Sequence, residues 1–264
     1  NMNDRPFQIA SYSLSDVGRL RQLNEDRAYT DPEAGVWVVA DGMGGHDAGD
    51  VASETIVSGL SGLRQHKSAM ALDEDFRDRI FGANSRIRRI SEERGNVVIG
   101  STLVALLAFG EAYRCLWSGD SRAYVLRGHT LIQITRDHTE LQELLDRGML
   151  TPEEAENYPR KNVITHAIGV NDYVYLDISD GKILQGDTFL LCSDGLTTHV
   201  SNQEIGEIMA GRRSREICEH LVALALERGG TDNVTVSAIQ FHTSKATIPV
   251  DSAYQVAAAP DPFQ

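Results

Sequence analysis

The sequence VWVVADG at residues 36–42 decides the predicted fold. Five consecutive apolar residues, three of them valine, are followed directly by Asp41 and Gly42. A short apolar run that is rich in β-branched and aromatic residues and bounded by a turn signal predicts a buried strand. The strand is therefore expected to end at Asp41, which places a carboxylate at the mouth of the sheet.

The same arrangement occurs at three more points along the chain: Asp120 after CLWSG, Asp194 after FLLCS and Asp232 before NVTV. If these strands share one sheet system, the four carboxylates converge. Converging carboxylates without cations cost on the order of several kcal/mol in repulsion and desolvation, which hard divalent cations remove. An oxygen-only ligand set suits Mg²⁺ or Mn²⁺ better than zinc. The alternative, that Asp-Gly pairs only mark turns after strands, stays open on the pattern alone.

The rest of the chain alternates short β-branched runs with helical patterns. Strands are predicted at residues 8–12, 36–40, 101–108, 113–118, 123–127, 131–134, 173–178, 188–192 and 234–240. Helices are predicted at about residues 48–63, 74–92 and 214–227, with Ser214 as the N-cap of the last. Because strand pairs recur in hairpin style and the first two helices are consecutive, the pattern favours an α+β fold over strict β-α-β alternation.

The composition of the 264 residues disfavours several functional classes. The net charge of −13 repels phosphate backbones, and no basic stripe typical of a nucleic-acid-binding protein is visible. No stretch approaches the roughly 18 apolar residues that a membrane span needs, and no secretory signal is visible. We therefore expect a cytoplasmic protein that binds neither membranes nor nucleic acid.

The three cysteines, Cys115, Cys192 and Cys218, form no C-x-x-C pair and lie in apolar surroundings. They are predicted to be reduced thiols in the core. A cysteine-based phosphatase needs a Cys and an Arg separated by five residues in one phosphate-binding loop. Six residues separate Cys115 from Arg122, and the other two cysteines have no Arg at that offset. That class of phosphatase is excluded.

The chain is interpreted as one domain at residues 1–242 followed by a tail. A polar helical insert at about residues 138–172 carries turn signals at Gly148, Pro152 and Pro159. Residues 243–264 lose hydrophobic periodicity and contain three prolines, so they are predicted to be disordered.

Several segments together resemble the bacterial branch of the type 2C metal-dependent protein phosphatase family. They occur in family order: R-x-x-x-E-D at Arg21 to Asp26, DGMGGH at 41–46 followed by Gly49, GST at 100–102, GDSR at 119–122, DH at 137–138, SDG at 193–195 and TDN at 231–233. The insert also looks like the flap segment of that branch. The resemblance covers nearly the whole chain, from about residue 7 to residue 241.

The resemblance implies a four-layer α-β-β-α sandwich, in which two antiparallel sheets are flanked by helices and hold two Mg²⁺ or Mn²⁺ ions in an acidic cleft. By this resemblance, Asp41 bridges both ions and the Gly42 carbonyl completes the shell of one of them. Asp194 and Asp232 ligate the other ion. Glu25 and Asp26 orient metal-bound waters, and Arg21 holds the substrate phosphate. A third ion, which bacterial relatives often bind, matches Asp120 together with Asp194.

The implied reaction is hydrolysis of phosphoserine or phosphothreonine in proteins by a hydroxide that bridges the ions. It opposes a serine/threonine kinase in bacterial signalling, with phosphoproteins and a cognate kinase as partners, and the protein is expected to be a monomer. Animal relatives carry a His directly after the Asp-Gly pair, whereas this chain has Met43, which cannot donate a proton. His46 and a metal-bound water are the alternative general acids.

The sequence leaves two rival interpretations of the function. A catalytically silent phosphoprotein-binding module on the same fold should have lost ligands, yet the acidic residues and Arg21 are all present. Another two-metal phosphoesterase, such as a nuclease, is disfavoured by the net charge and by the absence of a basic stripe.

Overall fold

A computed structural model describes residues 5–243 and 255–256 of the chain. The strands in this part are β1 (Gln8–Asp16), β2 (Asp26–Asp31), β3 (Val36–Gly44), β4 (Ile99–Ser101), β5 (Leu103–Phe109), β6 (Ala112–Ser118), β7 (Arg122–Arg127), β8 (Thr130–Gln133), β9 (Asp177–Lys182), β10 (Thr188–Cys192), β11 (Val234–His242) and β12 (Gln255–Val256). The α-helices are α1 (Gly49–Gly59), α2 (Ala69–Glu93), α3 (Glu140–Asp146), α4 (Pro152–Glu156), α5 (Asp194–Thr197), α6 (Asn202–Met209) and α7 (Ser214–Glu227). A 3₁₀ turn at Gly45–Asp47 joins β3 to α1.

The strands form two sheets. One has the order β1-β11-β10-β7-β8-β12, and the other has the order β2-β3-β5-β6-β9, with β4 paired to β3. The pairs are antiparallel except that β12 runs parallel to β8. Gln255–Val256 therefore form a short strand inside the segment predicted to be disordered. The rest of that prediction lies outside the described residues, apart from Thr243.

Strand β3 shows why the apolar run lacks alternation. Val36 and Val38 pack in the core beneath α1 and α2, while Trp37 and Val39 pack between the two sheets. A strand covered on both faces needs apolar side chains at every position, since neither face meets water.

Three buried clusters separate four layers. One lies between the first two helices and the second sheet, one lies between the sheets, and one lies between the first sheet and the helices α6 and α7. This confirms the α+β four-layer sandwich. The cysteines are free and buried, as predicted. Within residues 5–243 and 255–256, no helix is long and apolar enough to cross a membrane.

Several predicted boundaries differ from the structure. The run at 101–108 is broken at Thr102 into β4 and β5, and the strand predicted at 173–178 begins instead at Asp177. Helix α2 begins at Ala69 rather than near residue 74, because the Ser68 hydroxyl accepts a hydrogen bond from the Ala71 N–H and caps the helix. Helix α7 has the predicted bounds, but Arg213 is its N-cap and Ser214 is its first residue.

Candidate metal centre

A cleft of about 380 Å³ opens where strands of the two sheets end side by side. Its lining contains seven of the predicted site residues together with six others: Arg21, Glu25, Asp41, Gly42, Asp120, Asp194 and Asp232, with Met43, Gly44, Thr102, Asn162, Ile164 and Asn233. The structure therefore brings together carboxylates that lie far apart in the sequence.

Asp26 lies on β2 directly opposite Asp41 on β3. Its side chain is almost fully buried, and Oδ2 accepts hydrogen bonds from the hydroxyls of Ser193 (2.8 Å) and Thr235 (2.7 Å). Oδ1 is buried with no hydrogen-bond partner. Burial, assisted by the charge on Asp194, outweighs the two hydroxyl bonds and raises the pKa of Asp26 to about 6.

The backbone of Asp41 is held on both sides by Thr102. The Asp41 N–H donates to the Thr102 hydroxyl at 3.0 Å, and the Thr102 N–H donates to the Asp41 carbonyl at 2.9 Å. The Thr102 hydroxyl also bonds to that of Ser121 at 2.7 Å. Burial and the charges on Asp26, Asp194 and Asp120 raise the pKa of Asp41 well above its usual range. The break between β4 and β5 thus fixes the central carboxylate.

Two further carboxylates enter the cleft from the ends of β6 and β10. Asp194 opens the short helix α5, and its Oδ1 is buried without a hydrogen-bond partner. Asp120 follows Gly119, whose φ of +112° and close approach to Thr102 exclude a side chain there. Burial is the largest cause of the raised pKa values of Asp120 and Asp194. The charge on Asp194 then raises that of Asp120, and the charge on Asp232 raises that of Asp194.

Gly42 is required by close backbone packing at the start of α1. A Cβ at this position would lie 1.8 Å from the Gly49 carbonyl oxygen and 2.8 Å from that of Glu25. The Gly42 N–H donates to the Glu25 carbonyl at 3.0 Å, and the Gly49 N–H donates to Glu25 Oε1 at 2.9 Å. The first turn of α1 therefore holds the Glu25 carboxylate at the edge of the cleft.

Arg21 lies at the rim with an exposed guanidinium. Its Nε is 3.3 Å from Asp232 Oδ1, and its Nη2 donates to Oδ2 at 3.4 Å. This ion pair is half exposed, so it orients the guanidinium without burying it. The arginine is accessible to an anion that enters the cleft.

His46 lies outside the lining of the cleft. It is exposed and has a left-handed backbone at φ 57° within the 3₁₀ turn. The sequence reasoning assigned no role to Asn233, whose side-chain amide donates to the carbonyls of Val17 and Leu23 and accepts from the Glu25 N–H. The motif TDN contained this residue, but its contacts with the loop that carries Arg21 could not be read from the pattern.

The chemistry of the donor atoms fits hard divalent cations. Within residues 5–243 and 255–256, no group of three His, Cys, Asp or Glu side chains is already arranged as the ligands of one ion. Carboxylate oxygens on Asp26 and Asp194 are buried and unpartnered, and the cleft contains neither His nor Cys. Such oxygens require a proton or a cation as partner, and an oxygen-only set prefers Mg²⁺ or Mn²⁺.

Comparisons with known proteins show the family of the chain. The family model described as protein phosphatase 2C matches residues 19–227. The serine/threonine phosphatase stp of Listeria monocytogenes is 37% identical over 235 residues, covering 86% of this chain and 93% of that protein. The structure of PppA, a key regulatory component of the T6SS in Pseudomonas aeruginosa, is 42% identical with a TM-score of 0.82, covering 88% of this chain and 97% of that one.

A second solved structure bears on the cofactor. The catalytic domain of the serine/threonine protein phosphatase PstP, in complex with two manganese ions, is 36% identical with a TM-score of 0.80, covering 89% of this chain and 98% of that one. A named PstP relative comes from Mycobacterium tuberculosis. The expected resemblance is confirmed, and the chain belongs to the protein phosphatase 2C family, as a serine/threonine phosphatase of the bacterial type.

Proposed function

We propose that the protein hydrolyses phosphoserine and phosphothreonine in proteins, with Mn²⁺ or Mg²⁺ held by the acidic cleft. The observation that carries the proposal is the convergence of Asp41, Asp120, Asp194 and Asp232 in one cleft beside the accessible guanidinium of Arg21, with the buried Asp26 paired opposite Asp41. The reaction class is supported by relatives named serine/threonine phosphatase and by the neighbour solved with two manganese ions.

Two ions per chain are proposed. The charges on Asp26, Asp194 and Asp120 act on Asp41, which would be a ligand of both ions. The Gly42 carbonyl would complete the shell of one ion, and Asp194 and Asp232 would bind the other. Glu25 and Asp26 would orient water around the ions, and Asp120 with Asp194 would hold a third ion. The raised pKa values of Asp41, Asp120 and Asp194 support this set, because close negative charges are stabilised by bound cations.

The chain contributes binding and orientation. Divalent ions, when bound, supply an activated water and positive charge against the phosphoryl oxygens. Arg21 would grip the phosphate through its planar guanidinium and would orient the phosphorus toward the carboxylate floor. Among the residues that the structure describes, only Asp232 pairs with Arg21, so a phosphate can compete for the remaining N–H groups of the guanidinium.

The departing alkoxide needs a proton, and the structure favours a water in the cleft over His46 as its source. Met43 lines the cleft but carries no proton, and His46 is not among the lining residues. A general acid must come within hydrogen-bond reach of the leaving oxygen, directly or through one water.

The partners proposed for this site are phosphorylated proteins, including a cognate serine/threonine kinase and its substrates. The relatives are named serine/threonine phosphatases. The net negative charge of this chain repels the phosphate backbone of nucleic acids. A cytoplasmic monomer remains our proposal for the setting in which the enzyme works.

The test is phosphate release with and without Mn²⁺. We expect the protein to dephosphorylate a phosphothreonine peptide but not to cleave DNA, and Asp41→Asn to abolish the activity. Asp172→Asn is the matched control, because Asp172 is 90% exposed and lies outside the cleft. DNA cleavage would favour a nuclease, and failure to release phosphate with any divalent cation would refute the proposal.

A further inference from the structure

Four exposed apolar residues adjoin segments that line the cleft, and we call them the apolar rim: Leu20, Leu23, Val98 and Val163. Their exposed fractions are 66%, 39%, 62% and 39%. Leu20 and Leu23 flank Arg21, and Val163 lies between the lining residues Asn162 and Ile164. The carbonyl of Val98 accepts from the Gly45 N–H, beside the lining residue Gly44. The rim residues thus belong to three separate segments, each of which neighbours lining residues of the cleft.

Hydrogen bonds anchor the segments that carry the rim residues. The Arg19 N–H, next to Leu20, donates to the Gly230 carbonyl at 2.8 Å, and the Asn233 side chain donates to the Leu23 carbonyl at 3.0 Å. The Glu140 N–H donates to the Val163 carbonyl at 2.9 Å. The loops are therefore held in place by backbone hydrogen bonds, and the apolar side chains of the rim are displayed to solvent on a fixed frame.

The rim contrasts with its surroundings. The chain has a net charge of −13, and the floor of the cleft is built from carboxylates. Single exposed apolar residues are ordinary on a protein surface, but several that adjoin the lining of one polar cleft are typical of a binding site. None of the four belongs to the three buried clusters, so the core does not explain them.

We infer that the apolar rim selects substrates that carry apolar side chains within about two residues of the phosphorylated serine or threonine. This inference rests on the proposed function, because it takes Arg21 as the group that fixes the phosphate. An extended peptide advances about 3.3 Å per residue, so side chains next to the phosphorylated residue reach the positions that flank Arg21. Acidic residues beside the phosphorylated residue are disfavoured, because the negatively charged cleft repels them.

The test compares two phosphothreonine peptides of equal length and charge, one with Leu and Val beside the phosphothreonine and one with Gln at those positions. We expect the wild-type protein with Mn²⁺ to show a kcat/KM about tenfold higher for the apolar peptide, through a lower KM, as is typical of contacts with partly buried aliphatic groups. Leu20→Gln combined with Leu23→Gln should bring the ratio of the two kcat/KM values close to one.

Two further variants separate selectivity from folding. Leu20→Met combined with Leu23→Met keeps the apolar surface and should keep the ratio. Leu184→Gln is the matched control: Leu184 is 44% exposed and belongs to the loop that bonds to Phe241, at the end of β11 remote from the cleft. It should also keep the ratio.

Equal kcat/KM values for the two peptides with the wild-type protein, or a ratio that survives the double Gln substitution, would overturn the inference. If the wild-type protein hydrolyses neither peptide nor p-nitrophenyl phosphate, the proposed function itself fails, and the inference fails with it. Hydrolysis of both peptides at the same efficiency would leave the proposed function intact and overturn the selectivity alone.

Discussion

Replacing Asp26 by Asn should stabilise the metal-free protein and lose that advantage when metal is bound. Burial raises the pKa of Asp26 from 3.8 to about 6, so at neutral pH the folded state holds an ionised carboxylate that prefers to be neutral. A rise of about two pKa units corresponds to about 3 kcal/mol. Asn is isosteric and uncharged, its oxygen can accept from Ser193 and Thr235, and its amide faces the unpartnered side.

The sign of the pH dependence follows from linkage. A group whose folded-state pKa is raised contributes its full stability below the unfolded pKa, and that contribution is lost as the pH rises through about 6. The advantage of Asp26→Asn over the wild type should therefore be about 3 kcal/mol at pH 7.5 and roughly half of that at pH 5.

The assay is urea unfolding of both proteins at the two pH values, first in EDTA and then in saturating Mn²⁺. In Mn²⁺ the advantage should vanish or reverse, because bound cations stabilise the ionised carboxylate. A lower stability of Asp26→Asn than of the wild type in EDTA at pH 7.5 would refute the predicted cost of burying the ionised Asp26 carboxylate. An advantage that is independent of pH would refute it equally.

Three other outcomes are expected. His46→Ala should change the hydrolysis of a phosphothreonine peptide and of p-nitrophenyl phosphate by the same small factor, because His46 lies outside the cleft lining; a selective loss with the peptide, whose leaving group needs a proton, would assign it the acid role. Thr102→Val should lower the free energy of unfolding by about 1–3 kcal/mol, since the Asp41 N–H and the Ser121 hydroxyl lose their partner, whereas Thr165→Val should be nearly neutral because its buried hydroxyl has no partner. Saturating Mn²⁺ should raise the melting temperature of the wild-type protein, because a ligand that binds only the folded state stabilises it; an unchanged melting temperature would argue against a metal-binding cleft.

The sequence predicted those strands whose apolar pattern is set by burial alone. The run from Val36 to Ala40 is covered on both faces, so its pattern needed no knowledge of neighbours. Strand β2 (Asp26–Asp31) was missed because it is half-buried and rich in polar residues. Strand β9 (Asp177–Lys182) was misplaced because this edge strand alternates exposed and half-buried positions and includes an Asp-Gly pair that is typical of a turn.

The candidate site was predictable in its acidic residues but not in its supports. Each Asp beside a strand could be recognised locally, whereas their convergence depends on two sheets whose ends meet in space. Thr102 and Asn233 had no local signal of function, because their contacts join segments that are far apart in the chain. The exposure of His46 likewise depends on the left-handed turn after β3, which the glycine-rich sequence allows but does not determine.

The converging carboxylates are proposed to form a divalent metal centre. Calorimetric titration of the EDTA-treated, dialysed protein with Mn²⁺ tests it most directly, with Asp41→Asn as the variant and Asp172→Asn as the control. We expect at least two Mn²⁺ ions per chain for the wild type and the control, and a clear loss of stoichiometry or affinity for Asp41→Asn. Absence of Mn²⁺ binding by the folded wild-type protein, or binding that Asp41→Asn leaves unchanged, would contradict the claim.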